Sequence, residues 1–274
     1  MAASDRKMGK GNIPLVLDVD GTLILSDISL EQLIQSFLRQ PFKTLKIIVG
    51  ARGDKAKIKR GLTTSYNIDV AVLPTDSRVI SLTEGRDVVL ASGTDQLVLE
   101  RLAQHLPFKA ICLGSDGQVN FVADAKRQKL VELYGVGGFD YAGNSNQDLK
   151  VFPDAREIYL VNPNPGTLKK LQATGRHFTF LERRFPSKED LLSLLLWKPS
   201  AFMTIAILAI ALLAGDGLVA SFAPLAHLTM VGLTLSLSRR RVPDALYKGR
   251  IMPTELLKLL IVSLSLPLLF LMIF

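Results

Sequence analysis

The chain is predicted to be α/β: a Rossmann-like parallel sheet with a small helical cap-like insertion, followed by about three transmembrane helices. Three observations predict this. Short apolar runs alternate with helical patterns from residue 13 to residue 161, the order that builds a parallel sheet covered on both faces. Composition shifts sharply near Trp197, after which apolar segments dominate. The first apolar run, Ile13-Pro14-Leu15-Val16-Leu17, ends in Asp18-Val19-Asp20-Gly21-Thr22-Leu23. Two carboxylates then fall where open α/β sheets place their chemistry, beyond the carboxyl ends of the strands.

Residues 13–17 form the first strand. Leu30, Leu33, Ile34, Phe37 and Leu38 recur at helical spacing over residues 29–39, and Pro41 breaks that helix. A second amphipathic piece covers residues 45–49, and a basic run follows at Arg52, Lys55, Lys57, Lys59 and Arg60. Residues 26–82 thus read as a compact helical insertion between the first two strands. Its basic run is either a solvated helix face or a surface for a substrate phosphate or lipid headgroup. The second strand, residues 87–91, delivers Ser92-Gly93-Thr94, and a helix runs from near Asp95 to His105. Strand 110–113 leads into the turn Gly114-Ser115-Asp116-Gly117, and helix 123–134 follows. Strand 139–142 ends in Gly143-Asn144-Ser145-Asn146-Gln147-Asp148, and strand 157–161 ends at Asn162-Pro163.

Three domains are expected: a polar tail at residues 1–12, a globular domain at 13–190 and a membrane domain at 191–274. The tail has no apolar h-region, so no cleavable signal is expected and the globular part stays cytoplasmic. The first apolar segment, residues 201–214, is short for a span of roughly 20 residues. Either it extends back into 191–196, or it forms a hairpin with the next segment through Gly215-Asp216-Gly217. The second segment is 218–237, and the third is 256–274 with Pro267 as an expected kink. Arg239-Arg240-Arg241, Lys248 and Arg250 lie between the last two. If the first segment crosses outward and the second returns, this basic loop is cytoplasmic, in accord with the positive-inside rule. The location implied is a bacterial-type cell inner membrane.

The net charge of +8 does not require nucleic acid. Much of the excess, including Arg183, Arg184, Lys188 and Lys198, lies near the apolar segments, where anionic headgroups attract it. No aromatic stacking platform accompanies these bases. The single cysteine, Cys112, lies in an apolar run and reads as a small buried hydrophobe. No Cys/His cluster suggests zinc. His105 and His177 read as surface or helix-end residues, and His227 as a neutral side chain packed between apolar helices.

Asp-x-Asp-Gly-Thr-Leu after a strand resembles the signature of the haloacid dehalogenase (HAD) superfamily of aspartate-nucleophile phosphohydrolases. The resemblance implies that Asp18 is the nucleophile and forms an aspartyl-phosphate. It implies that Asp20, two residues on and facing the same side, is the general acid and base. Gly21 allows a close turn and Thr22 is expected to bond nearby backbone, on the substrate side of the site. Ser92 matches the second element, holding a phosphoryl oxygen together with the Gly93 amide; Thr94 is the alternative. Lys126 is the chosen third element, a cation at the phosphoryl oxygens, with Lys129 as competitor. Residues 143–148 resemble the fourth, a Gly-Asp-x-x-x-Asp magnesium motif in which Asn144 replaces the first acid. The implied Mg2+ ligands are Asp18, the Asp20 carbonyl, Asn144 and Asp148.

The run Phe139-Asp140-Tyr141-Ala142-Gly143-Asn144-Ser145 with Asp148, then Val161-Asn162-Pro163, is similar to a subgroup in which such a domain precedes a UbiA-type polyprenyltransferase membrane domain. That subgroup often carries Asn at the same motif position. The resemblance covers residues 14–198. The membrane part here has about three spans and no Asn-Asp-x-x-Asp motif, and Asp216 and Asp244 do not supply one. The expected function is therefore Mg2+-dependent phosphomonoester hydrolysis at the cytoplasmic membrane face. The expected partners are a phosphorylated small molecule or lipid-linked phosphate, membrane lipids and a membrane protein. Two alternatives stand: a non-catalytic scaffold for a membrane enzyme, and a prenyltransferase remnant completed by another chain.

Overall fold

A computed structural model of the chain describes residues 13–182 and 186–273. The tail expected at residues 1–12 lies outside the described residues, as do Arg183 and Arg184. The chain forms two compact units. Among the described residues, the first comprises 13–24, 28–71 and 75–182; the second comprises 25–27, 72–74 and 186–273.

The first unit holds a six-stranded sheet in the order β3-β2-β1-β4-β5-β6, with every pair parallel. Its strands are β1 (Leu15–Leu17), β2 (Val88–Asp95), β3 (Ala110–Ser115), β4 (Asp140–Gly143), β5 (Ile158–Val161) and β6 (Thr179–Leu181). β1 lies mid-sheet. Leu15, Val16 and Leu17 pair with Val88, Val89 and Leu90 on one side and with Asp140, Tyr141 and Ala142 on the other. All three are completely buried, which is why the run is continuously apolar rather than alternating. Strand order reverses between β1 and β4, and a crevice opens beyond strand ends at such a point. This Rossmann-like sheet, with its helical insertion and later apolar helices, is the class the sequence predicts.

Helices α1 (Ile28–Arg39), α2 (Pro41–Gly50), α3 (Lys55–Ser65) and α4 (Ser77–Ser81) separate β1 from β2. The interior of this insertion is unexpectedly polar. α1 buries Ile28, Glu31, Gln32 and Ser36, while Phe37 and Leu38 of the predicted apolar stripe stay exposed. Gln32 Nε2 donates to Thr63 Oγ1 and to the Tyr66 carbonyl, each at 3.3 Å. The Ser36 and Thr44 hydroxyls lie 2.7 Å apart. Helical spacing located the helix, but hydrogen bonding chose its inner face.

α5 (Gln96–Ala103), α6 (Ala123–Tyr134) and α7 (Pro165–Ala173) complete the unit. β2 runs on through Ser92 and Thr94, with a register shift between Ala91 and Asp95. Asp95 then caps α5 by accepting from the Leu97 amide at 3.0 Å. Sequence pattern does not predict α7 or β6. α7 buries only Thr167 and Leu171, and β6 is a short edge strand whose Phe180 is exposed, so neither carries a strong period. The core gathers Val16, Val89, Phe139, Tyr141, Phe152 and Leu160.

The second unit contains α8 (Lys188–Leu195), α9 (Lys198–Ala214), α10 (Gly217–Ser221), α11 (Ala223–Leu237), α12 (Asp244–Tyr247) and α13 (Pro253–Ile273). α9 ends on Gly215 at φ 65°, a left-handed cap that glycine adopts without strain. Asp216 then accepts from the Leu218 and Val219 amides at 2.9 and 3.3 Å. The chain thus turns back through Gly215-Asp216-Gly217, and α9 packs on α10 and α11. Among the described residues, Gly217–Leu237 and Pro253–Ile273 are each long and apolar enough to cross a membrane. α8 with α9 makes a third candidate if counted as one span bent by 64°. α13 continues through Pro267. Leu194, Val231, Leu246 and Leu256 form this unit's interior, with Trp197 against it. His227 is buried there. Its Nε2 lies 3.0 Å from the Leu194 carbonyl and 3.1 Å from Ser200 Oγ, and its Nδ1 lies 2.9 Å from Thr204 Oγ1.

Candidate active site

Four sequence elements converge at the carboxyl ends of β1, β2 and β4. Asp18 follows β1 directly, its amide donating to the Ala142 carbonyl of β4 at 2.8 Å. Gly21 turns the chain at φ 77°. A Cβ there would collide with the Asn144 side chain, so at this positive φ the turn and the fourth element need a residue without a side chain.

Lys126, 3% exposed, reaches from the first turn of α6 into this crevice. Its Nζ donates to Asp18 Oδ1 at 2.7 Å, to Tyr141 Oη at 2.9 Å and to Asp148 Oδ1 at 3.3 Å. Lys129, one turn on, pairs instead with Glu132 at the surface at 2.8 Å. Helical periodicity alone does not separate the two; the inward direction of position 126 does.

Thr22 is fully buried and donates to Asp18 Oδ2 at 3.2 Å. This corrects the expectation that it bonds nearby backbone. The turn folds its hydroxyl back onto the carboxylate four residues earlier. Asp20 points the other way. Its Oδ2 accepts from Ser92 Oγ and Thr94 Oγ1, each at 2.9 Å, and its Oδ1 accepts from the Ile28 amide at 2.8 Å. Both hydroxyl candidates for the second element therefore face Asp20. Gly93 lies between them, and a Cβ on it would meet Val122 Cγ1 at 2.6 Å.

Asp148, 1% exposed, orders the fourth element. Its Oδ2 accepts from the Asn144 amide at 3.1 Å, the Ser145 amide at 2.9 Å and Ser145 Oγ at 2.7 Å. Its Oδ1 accepts from Tyr141 Oη at 2.6 Å as well as from Lys126. Five donors on two oxygens exceed the roughly four acceptor sites of a carboxylate, and three of them come from Asn144 and Ser145, so Asp148 clasps the loop that carries Asn144. Tyr141 was not singled out from sequence, where it is one more apolar strand residue. Only its inward phenol between Lys126 and Asp148 reveals it.

The electrostatics are short of positive charge. Burial pushes the Asp18 carboxyl up; Lys126 opposes this, Asp148 and Asp20 add to it, and the result is about 7. Burial alone would lower Lys126, but the Asp18 and Asp148 carboxylates outweigh it and push it up to about 12. Asp148 is held below the usual carboxylate range, because Lys126 and the bonds from Tyr141 and Ser145 outweigh its burial. One buried cation thus serves two carboxylates, Asp18 and Asp148. Among the described residues no group of three His, Cys, Asp or Glu side chains is arranged to hold a metal, and Asn144 brings no charge to the fourth element. Of the four implied ligands, Asp148 already has both oxygens engaged by protein donors, while Asp18, the Asp20 carbonyl and the Asn144 amide offer hard oxygen donors. They suit Mg2+, which takes one or two carboxylates and keeps waters and phosphate for the rest.

The basic run of the insertion divides. Lys59 Nζ donates to the Gly93 carbonyl at 2.5 Å and to Asn120 Oδ1 at 2.9 Å. Arg60 Nε pairs with the buried Asp95 at 2.8 Å. Lys57 instead pairs with Asp54 at 3.3 Å on the outside. Cys112 is only partly buried, and burial pushes its thiol up to about 11. His105 and His177 are exposed.

No protein-family model matches the chain. An uncharacterized protein, y4nM, of Sinorhizobium fredii (strain NBRC 101917 / NGR234) is 30% identical over 192 residues. The match takes in 68% of this chain and 36% of that protein, so the chain spans little more than a third of the relative's length. Among solved structures, a HAD family hydrolase from Salmonella enterica subsp. enterica serovar Typhi is 16% identical with a TM-score of 0.40, covering 58% of this chain and 66% of that one. A substrate-bound phosphoserine phosphatase is 13% identical with a TM-score of 0.40, covering 59% and 91%.

Proposed function

We propose that the first unit is a HAD-type, Mg2+-dependent phosphomonoester hydrolase, held at the cytoplasmic face of a cell membrane by the apolar helices of the second. The observation that carries this is the buried Lys126 ammonium 2.7 Å from Asp18 and 3.3 Å from Asp148, with Asp20 beside Ser92. A structural ion pair does not need an aspartate two residues on, turned to a second strand end.

In the proposed reaction an Asp18 oxygen attacks phosphorus and the ester P–O bond breaks. Asp20 gives its proton to the departing oxygen. Asp20 then takes a proton from water, whose oxygen attacks the aspartyl-phosphate; phosphate leaves and the Asp18 carboxylate is restored. Lys126 offsets negative charge gathering on the phosphoryl oxygens and keeps Asp18 oriented. Ser92, Gly93 and Thr94 line the phosphoryl side. Asp18, the Asp20 carbonyl and Asn144, on the loop clasped by Asp148, would hold Mg2+, which would supply further charge neutralisation at the phosphoryl group. The substrate class is a phosphorylated small molecule or a lipid-linked phosphate, and a membrane protein partner belongs to the same reading. The test is hydrolysis of an aryl phosphate with Mg2+ by wild type and Asp18→Asn. Equal rates sink the assignment.

Asn144 favours a second reading, a non-catalytic scaffold, because it removes a charge from the metal motif. Beryllium fluoride separates the two: the hydrolase captures it at Asp18 only with Mg2+ present, and the scaffold does not.

A further inference from the structure

We infer that α2 of the insertion is an interfacial helix that docks on the anionic headgroup layer of a bilayer. The inference rests on reading the apolar helices of the second unit as membrane spans, since these supply the bilayer.

α2 carries an apolar stripe on its outward face. Phe42, Leu45 and Val49, at i, i+3 and i+7, share one face and are 88%, 52% and 67% exposed. The residue it buries is Thr44, bonded to Ser36. Phe37 and Leu38, at the end of α1 and also exposed, add to the outward apolar surface. A contiguous exposed apolar patch of this kind marks an interaction surface. The inner side of α2 already packs through Thr44 with the half-buried Ile47 and Ile48, so the outward stripe is apolar surface beyond what the helix uses within the insertion.

Charge selects the occupant. Residues 37–57 carry Arg39, Lys43, Lys46, Arg52, Lys55 and Lys57 against one acid, Asp54. Asp54 is already engaged, accepting from the Ala56 and Lys57 amides and pairing with Lys57. α2 itself contains no acid. A second copy of this face would bring the same positive charge and be repelled. An apolar stripe flanked by lysines matches a helix lying in the plane of an anionic interface.

The test uses the full chain in vesicles of mixed phosphatidylglycerol and phosphatidylcholine, and in phosphatidylcholine alone, with Cys112→Ser as background. Spin labels are placed through Phe42→Cys, Leu45→Cys and Val49→Cys singly, with Leu266→Cys in α13 as the reference for a span. Collisions with oxygen report lipid, and collisions with an aqueous nickel chelate report water. The expected result is oxygen-dominated access at positions 42, 45 and 49 in anionic vesicles, shifting toward nickel in phosphatidylcholine alone. Joint replacement Lys43→Glu and Lys46→Glu is expected to return position 49 to water in anionic vesicles, with aryl phosphate hydrolysis unchanged. Nickel-dominated access at all three positions in anionic vesicles, with Leu266→Cys still in lipid, overturns the docking and leaves the membrane reading intact. Nickel access at Leu266→Cys as well overturns both. Shielding of positions 42, 45 and 49 from both reagents assigns the face to a protein partner and also overturns the proposal.

Discussion

Lys126 sits almost without solvent between the carboxylates of Asp18 and Asp148. Removing one member of such a buried set leaves uncompensated charge and costs about 3–5 kcal/mol. Lys126→Met is therefore expected to lower the thermal unfolding midpoint in detergent and to cut kcat by about 10²–10³, whereas Lys129→Met changes neither. Tyr141 donates to the charged Asp148, a bond worth about 1.5–3 kcal/mol. Tyr141→Phe is expected to raise the Mg2+ concentration for half-maximal rate more than it lowers kcat, because the loop bearing Asn144 loses one of its ties. A Mg2+ titration of the rate checks this. Gly21→Ala drives a methyl into Asn144 at a positive φ, and loss of activity with the sheet intact by circular dichroism is expected.

At the scale of elements, β4 enters the sheet on a buried carboxylate. Asp140 accepts from Arg156 at 2.8 and 2.7 Å and pairs with Arg86. Burial raises its carboxyl, but bonds and charge from Arg156 and Arg86 outweigh this and hold it below the usual range. The folded value lies below the unfolded one, so the stabilisation is present above roughly pH 4 and is lost as pH falls through the folded value. Asp140→Asn is expected to be less stable at pH 7 and to show a flatter acid limb when midpoints are measured from pH 7 to pH 3. Much of the site was legible at this level. The ends of β1, β2 and β4 each carried a recognisable group, because a residue that follows a buried parallel strand has one place to go. The inner faces of α1 and α2 were not legible. Their interior bonds, Gln32 to Thr63 and Ser36 to Thr44, join residues that polarity alone assigns to the surface.

For the whole molecule, the proposed topology places the loop of Arg239–Arg241, Lys248 and Arg250 on the cytoplasmic side. Lys248→Cys in a Cys112→Ser background is expected to react with an impermeant maleimide only after intact cells are opened. Reaction in intact cells points to the opposite orientation. Within its own unit this loop is ordered by charge: Arg250 Nε meets Asp190 at 2.7 Å and its Nη2 meets Asp244 at 2.8 Å.

The sequence by itself determined the parallel α/β class, the order of the strands along the chain, the two carboxylates after β1 and the onset of apolar helices. These depend on local patterns: apolar runs of strand length, turn residues beside them and long stretches without charge. The tertiary structure decided which lysine meets Asp18, which hydroxyls meet Asp20, that Tyr141 belongs to the site, and which face of α2 is turned outward. Those choices depend on direction across space between segments up to 108 residues apart, as Lys126 and Asp18 are. Spacing along one helix or strand cannot encode such a direction; the closing of the sheet around β1 does.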